Sequence, residues 1–416
     1  MGFASEYLRS GALFPKLFSE EPGHDTGLIV VIPAWNEPEI YRCLSSLAAC
    51  RQPDTGVEVI IIMNAPPSAT GDKSEINKET IDSINSWKRE NQNPLFRLFV
   101  FDAGQPLIKG WGVGTARKTG MDEAVRRFNQ IENRDGVIVS LDADCEVDPG
   151  YLVALWNDFG QNREAGGCSL YFEHRLDEMA VSENLVSAIS QYELHLRYFV
   201  AALRFVGFPY PFHTIGSAMA VKAGRYVKVG GMNRRQGGED FYFIHKLVAG
   251  DDYFNLNSTT VYPSARLSLR VPFGTGPVIS RLVNAGEGTY YTYNPESLIP
   301  LRKFFKHIAA FAELGDLSGF DPGIEISTIL GADELREKHA EIKKNTASPE
   351  MFTKRFFTWF NAFKIVKYLN AVHVNLYKKI PVNEAASKIL VMSGCSVLPE
   401  STAELLALYR KIDREA

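Results

Sequence analysis

Long apolar runs, paired cysteines and an excess of one charge are all scarce in this chain of 416 residues. No window of about 18 uncharged apolar residues occurs, so no segment reads as a membrane-crossing helix. The nearest, Leu194–Gly207, is short and carries His195, Arg197 and Arg204; it reads as a half-buried helix. The cysteines number five (Cys43, Cys50, Cys145, Cys168 and Cys395), widely spaced and without a C-x-x-C pair. That pattern argues against a disulfide framework or a zinc site and suits reduced thiols in a cytoplasmic setting. A formal charge of -4 creates no global field for nucleic acid. Met1–Ser10 lacks the basic start and apolar stretch of a signal peptide. An aromatic arm (Phe3, Tyr7, Leu8, Phe14, Leu17, Phe18) leaves peripheral attachment at the inner face of a membrane open, although such arms more often pack on their own domain.

What is present is a well-packed α/β pattern. Leu28–Ile32 and Val57–Met63 are nearly continuous apolar runs, the second broken by Glu58 alone, as befits parallel strands buried on both faces. Pro38–Ala49 between them places Ile40, Leu44 and Leu47 at helical spacing. A helix over Lys78–Glu90, a strand at Phe96–Phe101, a helix over Thr115–Ile131 and a strand at Gly136–Leu141 follow. This alternation predicts an open, mostly parallel sheet flanked by helices. From about Pro295 the pattern turns helical, with stretches at Leu301–Leu314, Ile324–Ala347, Pro349–Leu376 and Asn383–Met392 and no convincing strand. The expected division is an arm at 1–26, an α/β domain at 27–294 and a helical region at 295–416.

Ligands of such sheets bind beyond the carboxyl ends of the strands, so the residues there are the candidates. The first strand ends in Pro33, Ala34, Trp35, Asn36 and Glu37; Pro33 has no N–H for a ladder and is expected to stop the strand. Asn64 follows the second strand. The fourth ends in Asp142-Ala143-Asp144, two carboxylates that repel unless a cation is near. If the strand persists, both point the same way and suit a hard cation, Mg²⁺ or Mn²⁺, shared with substrate phosphate. A bare D-x-D is otherwise an acidic turn. Gly110, Gly112 and Gly114 precede the helix near Thr115, where backbone N–H groups favour an anion. Gly237-Gly238-Glu239-Asp240 opens another helix, where the carboxylates could equally act as caps.

In this order, Ile29–Glu37, Asn64, Gly110–Arg117, Asp142-Ala143-Asp144 and Gly238-Glu239-Asp240 resemble family-2 glycosyltransferases of the GT-A fold. The resemblance implies a nucleotide pocket of Pro33, Ala34, Asn36, Glu37, Asn64, Gly112, Arg117 and Asp142. It further implies a divalent cation (Mn or Mg) at Asp144 with Asp142, and a base at Asp240 beside Glu239. The expected donor is a UDP- or GDP-sugar, with a glycan or lipid-linked acceptor in cell-envelope polysaccharide synthesis. Many metal-dependent relatives add a later histidine, but none lies between Lys246 and Lys306. His213 and His245 are weaker substitutes. Arg266 and Arg270, with the glycine loop at Pro272–Gly276, are expected to clamp the diphosphate instead. A nucleotidyltransferase is disfavoured because no basic glycine loop follows the first strand. A non-catalytic nucleotide- or sugar-binding scaffold remains the alternative.

Overall fold

The computed structural model describes residues 2–64, 77–92, 94–102, 112–176, 182–234, 238–250, 252–266, 275–284 and 288–416. The chain divides into two compact units, one of residues 1–178, 214–276 and 414–416 and the other of 179–213 and 277–413. The boundary expected at Pro295 thus falls inside the second unit, which also takes the segment 179–213.

The first unit is built on one eight-stranded sheet, β1 (Thr26–Ala34), β2 (Gly56–Met63), β3 (Arg97–Asp102), β4 (Val137–Ser140), β5 (Glu146–Val147), β6 (Gly167–Phe172), β7 (Met219–Lys222) and β8 (Tyr253–Tyr262). Their spatial order is β3-β2-β1-β4-β7-β6-β8-β5. The pairs β3·β2, β2·β1, β1·β4 and β6·β8 are parallel, whereas β4·β7, β7·β6 and β8·β5 are antiparallel. Every residue of β1 is buried, in line with its unbroken apolar run.

Two local expectations change. β1 runs through Pro33 to Ala34, with Pro33 opposite Ile62 of β2. Val31 accepts from the Leu141 N–H on the β4 side, and backbone groups two residues apart point the same way, so Pro33 faces the side where β4 has already ended. Its missing N–H therefore costs no ladder bond. β4 stops at Ser140, so strand alternation does not orient Asp142 and Asp144. They sit in a turn, in which the Cys145 N–H donates to the Asp142 carbonyl at 3.0 Å.

The four strands from β5 to β8 escape a sequence reading because their runs are short or mixed. β6 contains Gly167, Cys168 and Ser169, and β8 alternates exposure through Asn255, Asn257 and Ser258.

The break in β2 at Glu58 has a structural cause. Glu58 is fully buried and accepts from Arg127 Nη2 at 2.9 Å and from Arg97 Nη1 at 3.2 Å. Arg127, also fully buried, lies 4.2 Å from the Phe99 ring centre. The N-terminal arm closes over the same helix, Val113–Gln130. Tyr7 Oη donates to Asp122 at 2.7 Å, and Phe14 and Phe18 meet Phe101 and Phe99. The arm is thus spent on packing.

The second unit is helical. Three expected stretches are each broken in two. Leu298–Lys306 is followed by Ile308–Phe311, Ile324–Ser327 by Ala332–Lys344, and Pro349–Trp359 by Ala362–Asn375. Ser348 and Asn361 cap their helices through side-chain oxygens, which sets these starts. One short strand, Ile380–Pro381, pairs antiparallel with Tyr291–Thr292, where no strand was expected. Aromatic and charged side chains between 182 and 210 pack inside this unit. Glu193 and Arg197 lie on Glu183–Val206, where Arg197 binds Glu193 and Asp413, and Arg410 binds Glu193. Tyr198 donates to the Tyr293 carbonyl and Phe208 contacts Phe357. Among the described residues no helix is long and apolar enough to cross a membrane.

The Glu58–Arg127 pair makes a stability prediction. Arg127→Met should cost about 3–5 kcal/mol because it strands a buried carboxylate, whereas Glu58→Leu combined with Arg127→Met should cost less. Urea unfolding of the two variants distinguishes these outcomes.

Candidate functional site

The carboxyl ends of β1, β2 and β4 are tied together by side chains from the following loops. Asn36, at φ +48°, donates its N–H to Asn77 Oδ1 at 3.1 Å, and Asn77 Nδ2 donates to the Asn64 carbonyl at 3.0 Å. The Asn64 N–H donates to the Ala34 carbonyl, and the Glu37 N–H to Thr80 Oγ1, both within 2.7 Å. The Asn64 carboxamide oxygen is buried with no partner among the described residues. A buried acceptor left open in this way is what a donor group on a ligand would satisfy. Asn77 and Thr80 were not foreseen. The signal was faint, since Asn before a helix ordinarily reads as a cap, yet the Asn77 side chain makes no cap bond.

Two guanidinium groups organise the acidic residues. Arg117, on the helix opening at Val113 after Gly112, is 2% exposed. Its Nη2 donates to Asp142 Oδ1 at 2.9 Å and lies 3.7 Å from Glu239 Oε1, while its Nη1 donates to the Gly216 carbonyl at 3.0 Å and to Ser140 Oγ at 3.3 Å. A β-carbon at Gly216 would stand 2.5 Å from Arg117 Nη1, so the close approach requires glycine there. Ser140 and Gly216 were likewise missed, because nothing in a serine inside a strand or an isolated glycine marks an arginine partner.

Gly238, at φ +69°, turns the chain into the helix Glu239–Val248 and brings Glu239 and Asp240 to the same assembly. Burial pushes the Glu239 carboxyl up to about 7; Arg117 opposes the rise and Asp240 adds to it. Burial also raises Asp240, against the pull of Arg117 and of the Phe241 N–H, which donates to Asp240 Oδ1 at 2.7 Å.

The second guanidinium is Arg266. It binds Glu37 through both terminal nitrogens, and its Nη2 donates to Asp144 Oδ2 at 3.3 Å. Glu37 is 2% exposed, whereas the Asp144 side chain is one-third exposed. Arg270, Gly110, Gly237 and most of the Pro272–Gly276 loop lie outside the described residues. Pro33 and Ala34 are buried strand residues and contribute backbone rather than side chains to the site.

The site brings together half-exposed Asp142 and Asp144 on one turn. Among the described residues no group of three or more His, Cys, Asp or Glu is placed to hold a metal by itself. The donor set instead fits a hard cation that takes one or two carboxylates and completes its shell from phosphate and water. The substitute histidines have other partners. His213 bonds Asp413 at 2.9 Å within the second unit, and His245 packs 4.4 Å from the Phe241 ring centre.

The family model described as glycosyl transferase family 2 matches residues 29–219. That stretch, somewhat under half of the chain, is similar to glycosyl transferase family 2. The match contains the candidates from Pro33 to Asp144, while Glu239, Asp240 and Arg266 lie beyond it. No curated protein matches the chain significantly. Among solved structures, the 1–349 fragment of S. aureus TarS shares 12% identity at TM-score 0.39, covering 94% of this chain and 91% of that one. Glucosyl-3-phosphoglycerate synthase from Mycobacterium tuberculosis, determined with Mn²⁺, uridine diphosphate and glucosyl-3-phosphoglycerate, shares 15% at TM-score 0.37, covering 64% and 84%. The mannosyltransferase PcManGT from Pyrobaculum calidifontis, with GDP-Man and Mn²⁺, shares 14% at TM-score 0.35, covering 99% and 91%. These overlaps are loose. The chemistry of this region is carried by its own residues, and its α/β sheet with flanking helices is the architecture the resemblance implies.

The raised Glu239 carboxyl yields a pH test on the ligand-free chain. Between about 4.5 and about 7 the folded chain holds a proton that the unfolded chain has released, so this group's contribution is full below that window and is lost as pH rises through it. Glu239→Gln should therefore gain in melting temperature relative to the parent as pH rises from 4.5 to 7. A constant difference across the series would contradict the assignment.

Proposed function

We propose that the chain is a glycosyltransferase that moves a sugar from a nucleoside-diphosphate donor, a UDP- or GDP-sugar, to an acceptor hydroxyl. The observation that carries this reading is the convergence of Asp142, Glu239 and Asp240 on Arg117 in a sheet whose strands β1 to β6 lie in or overlap the stretch that matches family 2. The acceptor is proposed to be a glycan or a lipid-linked sugar of the cell envelope, and the free thiols of all five cysteines accord with a cytoplasmic setting.

The first loops hold the nucleoside. The open Asn64 oxygen accepts from a base or ribose donor, and Asn36 and Glu37 flank it on the frame set by Asn77 and Thr80. Gly112 lets a phosphate approach the helix that opens at Val113. A Mn²⁺ or Mg²⁺ held by Asp144, with Asp142, neutralises negative charge on the diphosphate when bound. Arg266 exchanges its hold on Asp144 for charge-assisted bonds to the same phosphates, joined by Arg270.

Asp240 is the base. Its raised affinity for a proton suits removal of the acceptor hydroxyl proton as the oxygen attacks the anomeric carbon and the bond to the diphosphate breaks, with inversion. Such a base contributes about 10²–10⁴-fold. Burial is the first cause of that affinity and the Asp142 carboxylate adds to it, against the pull of Arg117.

Two measurements test this. Asp240→Asn should lose at least about 100-fold in transfer while nucleotide binding by calorimetry persists; retained turnover would remove Asp240 from the mechanism. Asp144→Ala or EDTA should weaken donor binding and stop transfer, and full transfer without a divalent ion would remove the cation. A product of retained anomeric configuration, read by NMR, would replace direct displacement.

A further inference from the structure

The second unit carries a surface that the transfer chemistry does not use. From Met351 to Asn383 the chain runs for 33 residues without a single Asp or Glu, yet contains Lys354, Arg355, Lys364, Lys367, Lys378 and Lys379. A stretch of that length would ordinarily hold carboxylates in a chain with 49 of them against 45 Lys and Arg. Of the eleven exposed large hydrophobic residues among those described, ten fall between 291 and 397, Tyr41 being the exception. Four of these ten, Met351, Phe363, Val374 and Leu376, lie in the stretch that has no carboxylate.

The helix Ala362–Asn375 shows how they are arranged. At about 100° per residue, Phe363, Lys367, Asn370 and Val374 fall within a stripe about 60° wide. All four are exposed, Phe363 at 45% and Val374 at 73%. The opposite face, with Ile365, Tyr368, Leu369 and Val372, is buried, so the stripe is the outer face of a helix whose inner face is already satisfied. Leu376, 42% exposed, and the exposed Lys378 and Lys379 follow directly after the helix end. The neighbouring charges lie to the sides. Lys364 leans over the Trp359 ring at 4.7 Å and is 3.8 Å from Glu334, and Tyr377 Oη donates to Glu325 at 3.3 Å. The N-terminal arm, the other aromatic element that could reach a membrane, is folded onto Asp122, Phe99 and Phe101.

We propose that the outer face of Ala362–Asn375, together with the exposed Leu376, Lys378 and Lys379 just past its end, is a docking surface for an anionic lipid bilayer. A lysine between large apolar side chains on one helical stripe, with two more lysines just past its end, matches an interface in which the apolar groups enter the headgroup layer and the ammonium groups meet lipid phosphates. The apolar members distinguish this partner from a nucleic acid, whose backbone offers Phe363, Val374 and Leu376 nothing to enter. The inference is independent of the donor-site reading, since no residue of the stripe belongs to that site.

The test uses the full chain and vesicles of phosphatidylcholine alone or with phosphatidylglycerol. Sedimentation should show binding to the anionic vesicles that falls with added salt, and little binding to the neutral ones. Lys367→Glu, Lys378→Glu and Lys379→Glu combined should weaken binding by more than about tenfold. Phe363→Ser with Val374→Ser should weaken it at constant charge. All these positions are exposed, and unchanged melting curves would show that the variants fold. Equal binding to both vesicle types, binding that survives the lysine reversals, or binding to single-stranded RNA at the same salt that the Phe363 and Val374 replacements leave untouched would each overturn the proposal.

Discussion

Arg117 is a charged group withdrawn from water, and the arrangement of the acidic site follows from the need to compensate it. A guanidinium in that position must meet oxygen atoms in nearly every direction it presents. It takes a carboxylate from the turn after β4, approaches another on the helix that opens at Glu239, and takes a carbonyl from Gly216 and a hydroxyl from Ser140. Segments about a hundred residues apart in sequence are thereby held at one point. The same charge keeps Asp142 and Glu239 close enough to act on one ligand, although carboxylates so near one another would otherwise repel.

Arg266 makes a complementary arrangement at the first strand. Glu37 is buried and Asp144 is partly open, and a single guanidinium spans both. A cation or a phosphate arriving there meets a site in which charge is already balanced, so binding becomes an exchange of partners instead of a simple capture. Exchange of that kind favours a ligand that brings both signs of charge, as a metal-bound diphosphate does.

The second unit distributes its charge differently. Its interior contains a compensated cluster in which Glu193, Arg197, Arg204, Arg410, His213 and Asp413 bind one another, and the Asp413 carboxyl is held well below the usual range by His213, Arg197 and Arg204 despite the opposing effect of burial. Its helix Ala362–Asn375 instead exposes Lys367 beside the apolar Phe363 and Val374. The first pattern holds helices together, and the second leaves a surface for something else.

The order of motifs in the chain was sufficient to read the first half of the sheet, the family resemblance and most candidate residues. Buried parallel strands announce themselves as apolar runs, and a carboxylate placed where such a run ends stands at the sheet's carboxyl edge. Asp142 and Asp144 were candidates for that reason, whereas Glu239 and Asp240 open a helix and were singled out by the resemblance. What the sequence could not determine was which charge meets which. The pairing of Arg117 with Asp142, its approach to Glu239, the hold of Arg266 on Glu37, and the service of Asn77, Thr80, Ser140 and Gly216 all depend on contacts between segments far apart in the chain. Local periodicity carries no information about those contacts, because it records which face of an element is buried and not what is buried against it. The tertiary structure alone decided them, through the demand that each buried charge and polar group find a partner.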